Sequence, residues 1–92
     1  MFSVREAVQR ARENATEFYQ DSDISDLQLE EVELDEASSL WRITLGFNVP
    51  NANPMRGLGA AIAGERQYIR KYKIFNIDIH TGELKSMKIR EV

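Results

Sequence analysis

Between Trp41 and Val49 the chain alternates without interruption, with Trp41, Ile43, Leu45, Phe47 and Val49 set against Arg42, Thr44, Gly46 and Asn48. Strand side chains point to opposite faces with a period of two, so this run reads as a strand with one apolar and one polar face. Such a strand needs neighbours for its backbone groups and an apolar layer over its buried face. The rest of the sequence has to supply both.

The apolar layer is written at the N-terminus. Ser3 followed by Glu6 fits a capping box, in which the serine hydroxyl accepts from the third helical amide and the glutamate accepts from the serine amide. Phe2 and Ala7 stand where a hydrophobic staple would. Val4, Ala7, Val8, Ala11, Ala15 and Phe18 then recur at three- and four-residue spacing, which gathers them on one stripe facing a sheet. Arg5, Gln9, Arg10, Arg12, Glu13 and Glu17 fall on the other side. The polar run from Asp21 to Asp26 favours turns, so the helix should end near Gln20.

Three further strands follow the same logic. Leu27 and Leu29 share one face of the segment Leu27 to Leu34 and Val32 and Leu34 the other, a slip that a bulge near Glu30 and Glu31 would repair. The short polar stretch from Asp35 to Ser39 suits a hairpin connection to the alternating strand. Arg66 to Ile79 reads as a long strand, with Tyr68, Tyr72 and Ile74 on one side and Phe75, Ile77 and Ile79 on the other, and a bulge or bend where the phase changes. His80 to Glu83 supplies a tight turn containing glycine, and Leu84 to Arg90 closes the sheet with Met87 and Ile89 inward. The fold class predicted is α+β: one N-terminal helix packed on a four-stranded antiparallel meander. The 92 residues make one domain with a long loop at 50–65, of a composition that suits a flexible linker.

A net charge of -3 argues against the broad basic field that nucleic-acid binding needs. With no cysteine there are neither disulfides nor thiolate metal sites. No apolar run approaches the ~20 residues of a membrane-spanning helix and no signal peptide is visible, so the expected location is cytoplasmic.

The segment Asp78-Ile79-His80-Thr81-Gly82-Glu83-Leu84 resembles the aspartate-x-x-threonine-glycine hairpin of the PepSY-like domains. Tyr72 to Ile77 resembles the strand that leads into that hairpin, and Ser3 to Ala7 the start of that family's helix. The order of elements is similar over nearly the whole chain, although the insertion from Pro50 to Gly64 is not part of the pattern. The resemblance implies a binding or inhibitory module that regulates peptidases or senses the cell-envelope environment, and implies no catalysis.

The residues themselves offer little chemistry. Asp21, Asp23, Asp26, Glu30 and Glu31 are rich in oxygen, but a calcium loop of the EF-hand kind wants glycine where Asp26 stands and glutamate where Val32 stands. The run from Gly57 to Gly64 has no Lys-Ser or Lys-Thr after it, as a phosphate loop would, and Ile62 occupies the third glycine of a dinucleotide fingerprint. His80 is the only histidine, and it stands two residues from Asp78, which does not set the two as base and orienter of a triad. No catalytic residue, metal ligand or cofactor is read from this sequence.

What remains is a long connection containing apolar residues, followed by a charged strand. Met55, Arg56, Leu58, Ile62, Arg66, Tyr68, Arg70, Lys71 and Lys73 form the candidate contact surface of a noncatalytic protein-interaction or regulatory module. The interleaved tyrosines would also suit single-stranded nucleic acid. The segment from Asp21 to Glu36 contains no Lys or Arg, so the basic strand can be balanced internally or by an acidic protein surface. Two other readings are a small-ligand or enzymatic pocket between helix and sheet, walled by Trp41, Tyr19 and Tyr72, and a homo-oligomer joined at an open strand edge.

Overall fold

Ser3 begins the helix as its spacing with Glu6 predicts. Its hydroxyl accepts from the Glu6 amide at 3.1 Å while the Glu6 carboxylate accepts from the Ser3 amide at 2.9 Å. A computed structural model describes residues 1–50 and 68–90 of the chain. Helix α1 spans Val4–Phe18, two residues short of the predicted end, and a single 3₁₀ turn, Gln20–Ser22, follows it. Asp23 then adopts a left-handed conformation at φ 52° and turns the chain toward the sheet.

Strands β1 (Ser25–Asp35), β2 (Leu40–Pro50), β3 (Tyr68–Asp78) and β4 (Leu84–Ile89) form one antiparallel sheet in the order β1-β2-β3-β4. The molecule is therefore the α+β meander that the sequence predicts. Among the described residues no helix is long and apolar enough to cross a membrane.

The bulge expected in β1 is present. Leu29 pairs with Leu45 and Glu31 with Thr44, which leaves Glu30 as the extra residue, and a second irregularity separates Ser25 from Gln28 beside the left-handed Asp26. These bulges return Leu27 and Val32 to the same helix-facing core. The sequence pattern near Ile74 reads as a bulge or a bend, and no bulge interrupts β3 there: β2 and β3 pair in unbroken register from Pro50–Tyr68 to Leu40–Asp78. The irregularity sits in β4 instead, where Ser86 faces Asn76, Leu84 faces Ile77 and Lys85 is left over.

The helix lies on the sheet through Ala7, Ala11 and Ala15, all fully buried against Ile43, Leu45, Phe75 and Ile77. Small side chains bring the helix backbone close and leave the core to the larger residues of β2 and β3. The ends of the predicted stripe do not join it. Val4 and Phe18 are about half exposed, because a straight helix touches a twisted sheet best at its middle. Ile89, expected to point inward, is 70% exposed on the edge strand, and Met87 is also exposed.

Candidate functional site

A strand of 11 residues is about 36 Å long, whereas a helix of 15 residues reaches about 22 Å, so α1 cannot cover the sheet from end to end. Its N-terminus is fixed at the end of the sheet carrying the β3–β4 turn. There the Phe2 amide donates to the Ile79 carbonyl at 2.6 Å and the Trp41 indole donates to the Phe2 carbonyl at 2.9 Å. Its C-terminus stops over Phe47, whose ring lies 4.9 Å from that of Tyr19. The far ends of β2 and β3 continue beyond it. A groove of about 490 Å³ opens at this step, lined by Tyr19, Asp21, Ser22, Asp23, Val49, Pro50, Lys71 and Lys73. Burial raises the pKa of the Tyr19 phenol, so its hydroxyl stays protonated through the neutral range, and it donates to Met87 Sδ at 4.0 Å.

The register of β2 with β3 divides the basic and aromatic stripe between two faces. Lys71 and Lys73 stand opposite Phe47 and Leu45 on the helix side, while Tyr68, Arg70 and Tyr72 stand opposite Pro50, Asn48 and Gly46 on the other. The stripe is therefore not one surface along which a single strand of nucleic acid could stack. Met55, Arg56, Leu58, Ile62 and Arg66 fall in residues 51–67, outside the described residues.

Arg70 is committed to the chain's own acids. Its guanidinium donates to the Asp26 carbonyl (2.8 Å) and carboxylate (3.2 Å), to Asn48 Oδ1 (3.2 Å), to Gln28 Oε1 (3.2 Å) and to Glu30 Oε2 (3.1 Å). Gly46 is the floor under this cluster, since a Cβ there would stand 2.7 Å from Glu30 Oε2 and 3.0 Å from Arg70 Nη2. Two more arginines neutralise β1 on the same face: Arg42 reaches Asp35 at 2.6 Å, and Arg90 reaches Glu31 at 2.8 Å. The charge imbalance visible in the sequence is thus settled largely within the molecule on this side. Replacing Arg70 by alanine should lower stability by about 1–2 kcal/mol in urea melts, the discount for partial solvent screening included. Lysine should recover little of the loss, because one ammonium cannot reproduce a planar fork with partners on both nitrogens.

Lys71 and Lys73 differ. Among the described residues no carboxylate lies within ion-pair distance of either ammonium. Lys71 is exposed, and next to it Ile69, opposite Val49, is 41% exposed on the part of the helix-side face that α1 does not reach.

The three aromatic residues expected to wall a pocket between helix and sheet do not meet. Trp41 sits at the N-terminal end of α1 and Tyr19 at the other, Tyr72 faces away from the helix, and buried alanines fill the space between. The Asp78 hairpin is likewise closed on itself. Thr81 and His80 donate their amides to the Asp78 carboxylate at 3.0 and 2.7 Å, which holds its pKa below the usual range, and the Glu83 amide donates to the Thr81 hydroxyl at 3.1 Å.

Compared with protein-family models, curated proteins and solved structures, the chain matches none.

Proposed function

We propose that this chain is a noncatalytic protein-interaction module of regulatory type that docks its partner on the end of β2 and β3 beyond the helix. One observation carries the reading: the sheet outruns α1, leaving Val49, Lys71 and Lys73 in the lining of an open groove, with the exposed Ile69 paired to Val49 beside it. Apolar surface beside cations that have no described partner is the composition of a recognition face. The groups lining the groove are suited to contact: two ammoniums, two carboxylates, a phenol and an apolar floor. The resemblance of the Asp78 hairpin and the order of elements to PepSY-like domains makes a peptidase the first class of partner to test, with inhibition as the activity.

The test compares the intact chain with an Ile69→Asp, Lys71→Glu double variant as immobilised baits for host extract. Both positions are exposed, so the variant should keep the circular dichroism and melting temperature of the parent. It is expected to lose at least about nine-tenths of the captured protein, since reversing charge at an interface adds repulsion to lost contact. A captured peptidase whose turnover falls on adding the intact chain, but not the variant, would support the inhibitory role. Equal capture by both baits would place the docking surface elsewhere.

A further inference from the structure

The two halves of β1 are held to the sheet in different ways. Over residues 32–35 the strand pairs with Ile43 to Leu40 in consecutive register, and Val32 packs on the core. Over residues 25–31 the register shifts twice, Asp26 is left-handed at φ 53°, and every residue except the half-buried Leu27 is exposed. Local stability in a fold is lowest where buried apolar contacts are few and the backbone ladder is interrupted. This half of β1 meets both conditions.

Arginines take the place of burial there. Arg70 of β3 reaches over Gly46 of β2 to the Asp26 carbonyl and carboxylate, to Gln28 and to Glu30. Arg90, just beyond β4, crosses the same face to Glu31 at 2.8 Å. From the helix, Arg12 donates to the Leu27 carbonyl at 3.5 Å. Asp26, Glu30 and Glu31 are thus each paired, and each pair ties β1 to an element other than its ladder partner β2. Charge-assisted bonds of this kind are the strong ones among exposed side chains.

We infer that residues 25–31 form an ionic latch: they lift from β2 as a unit while the rest of the sheet stays closed, and ionic strength sets how often, through Arg70 and Arg90. Salt reaches these pairs, since the Asp26 and Glu31 carboxylates are more than half exposed. The screening length falls from about 30 Å at 0.01 M to about 3 Å at 1 M salt. The ladder of β2 with β3 is held instead by the fully buried Ile43, Leu45, Phe75 and Ile77, which screening does not touch. Opening also acts on the groove. Asp21, Ser22 and Asp23 of its wall lead directly into Ser25, so that wall loses its fixed end when the segment lifts. This last consequence rests on the docking reading given above, whereas the latch itself does not.

Amide hydrogen exchange of the full chain, followed residue by residue by NMR in about 0.01 M and about 1 M sodium chloride, tests this. Amides of residues 25–31 should exchange faster than those of the β2–β3 ladder, and the ratio should rise at least about tenfold at high salt. Arg70→Gln should bring the same rise at low salt and remove most of the salt dependence, and Arg90→Gln, which frees one carboxylate, a smaller one. Equal protection of residues 25–31 and the β2–β3 ladder at both salts would overturn the inference, because β1 would then open only with the whole molecule. Faster exchange that neither salt nor Arg70→Gln alters would make it fraying at the bulges and overturn the ionic hold. Acceleration of all strands alike in Arg70→Gln would make Arg70 a support of the whole sheet and overturn the latch. Should Arg70→Gln fail to fold, the salt ratios of the parent and of Arg90→Gln decide by the same criteria. No partner takes part, so failure here leaves the docking reading standing, and equal capture by the two baits described above leaves the latch standing.

Discussion

Replacing Phe75 by alanine is expected to lower stability by about 3–5 kcal/mol, toward the upper end of that range, in equilibrium urea melts. Phe75 is fully buried between Ile43, Leu45 and Ile77 on the sheet and Ala7, Ala11 and Ala15 on the helix. The size of the loss depends on whether neighbours can move into the hole. Here the helix offers the methyl groups of three alanines and a partly buried Val8, and its backbone is held at one end by the Ser3–Glu6 capping box and the Phe2 bonds to Ile79 and Trp41. A cavity under that surface cannot close without tilting the helix. A domain of this size has about 5–10 kcal/mol in total, so the variant should be partly unfolded in buffer at moderate temperature. Ile69→Ala removes a side chain from the same strand, yet it should cost less than about 1 kcal/mol because Ile69 is 41% exposed. A large loss at Ile69 with an intact fold at Phe75→Ala would mean that the helix covers the other end of the sheet.

That contrast between two positions on one strand also shows where sequence reasoning reached and where it stopped. The phase of β2 was legible because one face is apolar and the other is not, and every helix-side residue from Ile43 to Phe47 is buried as the alternation predicts. The bulge at Glu30 was legible for a related reason, since a slip in alternation needs an extra residue if both halves are to face one core. Strand β3 gave no such signal. Tyr72 and Ile74 on the face away from the helix are hydrophobic like Phe75 and Ile77 on the core face, so the pattern reads as a bulge or a bend, and β3 has no bulge. Strand β4 carries the irregularity, at Lys85, where a solvent-facing lysine leaves no mark on the hydrophobic pattern.

The candidate site was legible only as a set of residue types. Arg70 and Lys71 are adjacent in sequence and look like one basic stripe, but adjacency on a strand means opposite faces. Arg70 then finds Asp26 and Glu30, 44 and 40 residues upstream, through two strand pairings whose register no local pattern states. The groove was within reach of arithmetic, because a four-turn helix is shorter than an eleven-residue strand whatever the details. Which end is left bare depends on the contacts of Phe2, a residue whose role as N-terminal anchor the staple pattern only partly conveys.

The anchor makes Gly82 the second position of large effect. Gly82→Ala should destabilise the fold by about 3–4 kcal/mol, far more than one added methyl group in a turn would suggest. The backbone there has φ 75°, a conformation that costs an L-residue about 1–2 kcal/mol. A Cβ would also overlap Cε2 and Cζ of the Phe2 ring. Phe2 cannot yield freely, since its amide and carbonyl bind Ile79 and Trp41 and its ring lies 5.3 Å from the Arg10 guanidinium. The two contributions separate in a double-mutant cycle. In a Phe2→Ala background the clash is gone, so Gly82→Ala should cost only the conformational 1–2 kcal/mol, by about the same rule. Trp41 fluorescence reports the rest: its emission should shift on Gly82→Ala as its bond to the Phe2 carbonyl is lost, and should shift little further when Phe2 is already alanine. Additive losses across the cycle would show that the turn and the N-terminal anchor are independent. Coupling of at least about 1 kcal/mol is the result expected of residues in direct contact, and it would make the aspartate-x-x-threonine-glycine hairpin the seat on which the helix is locked to the sheet.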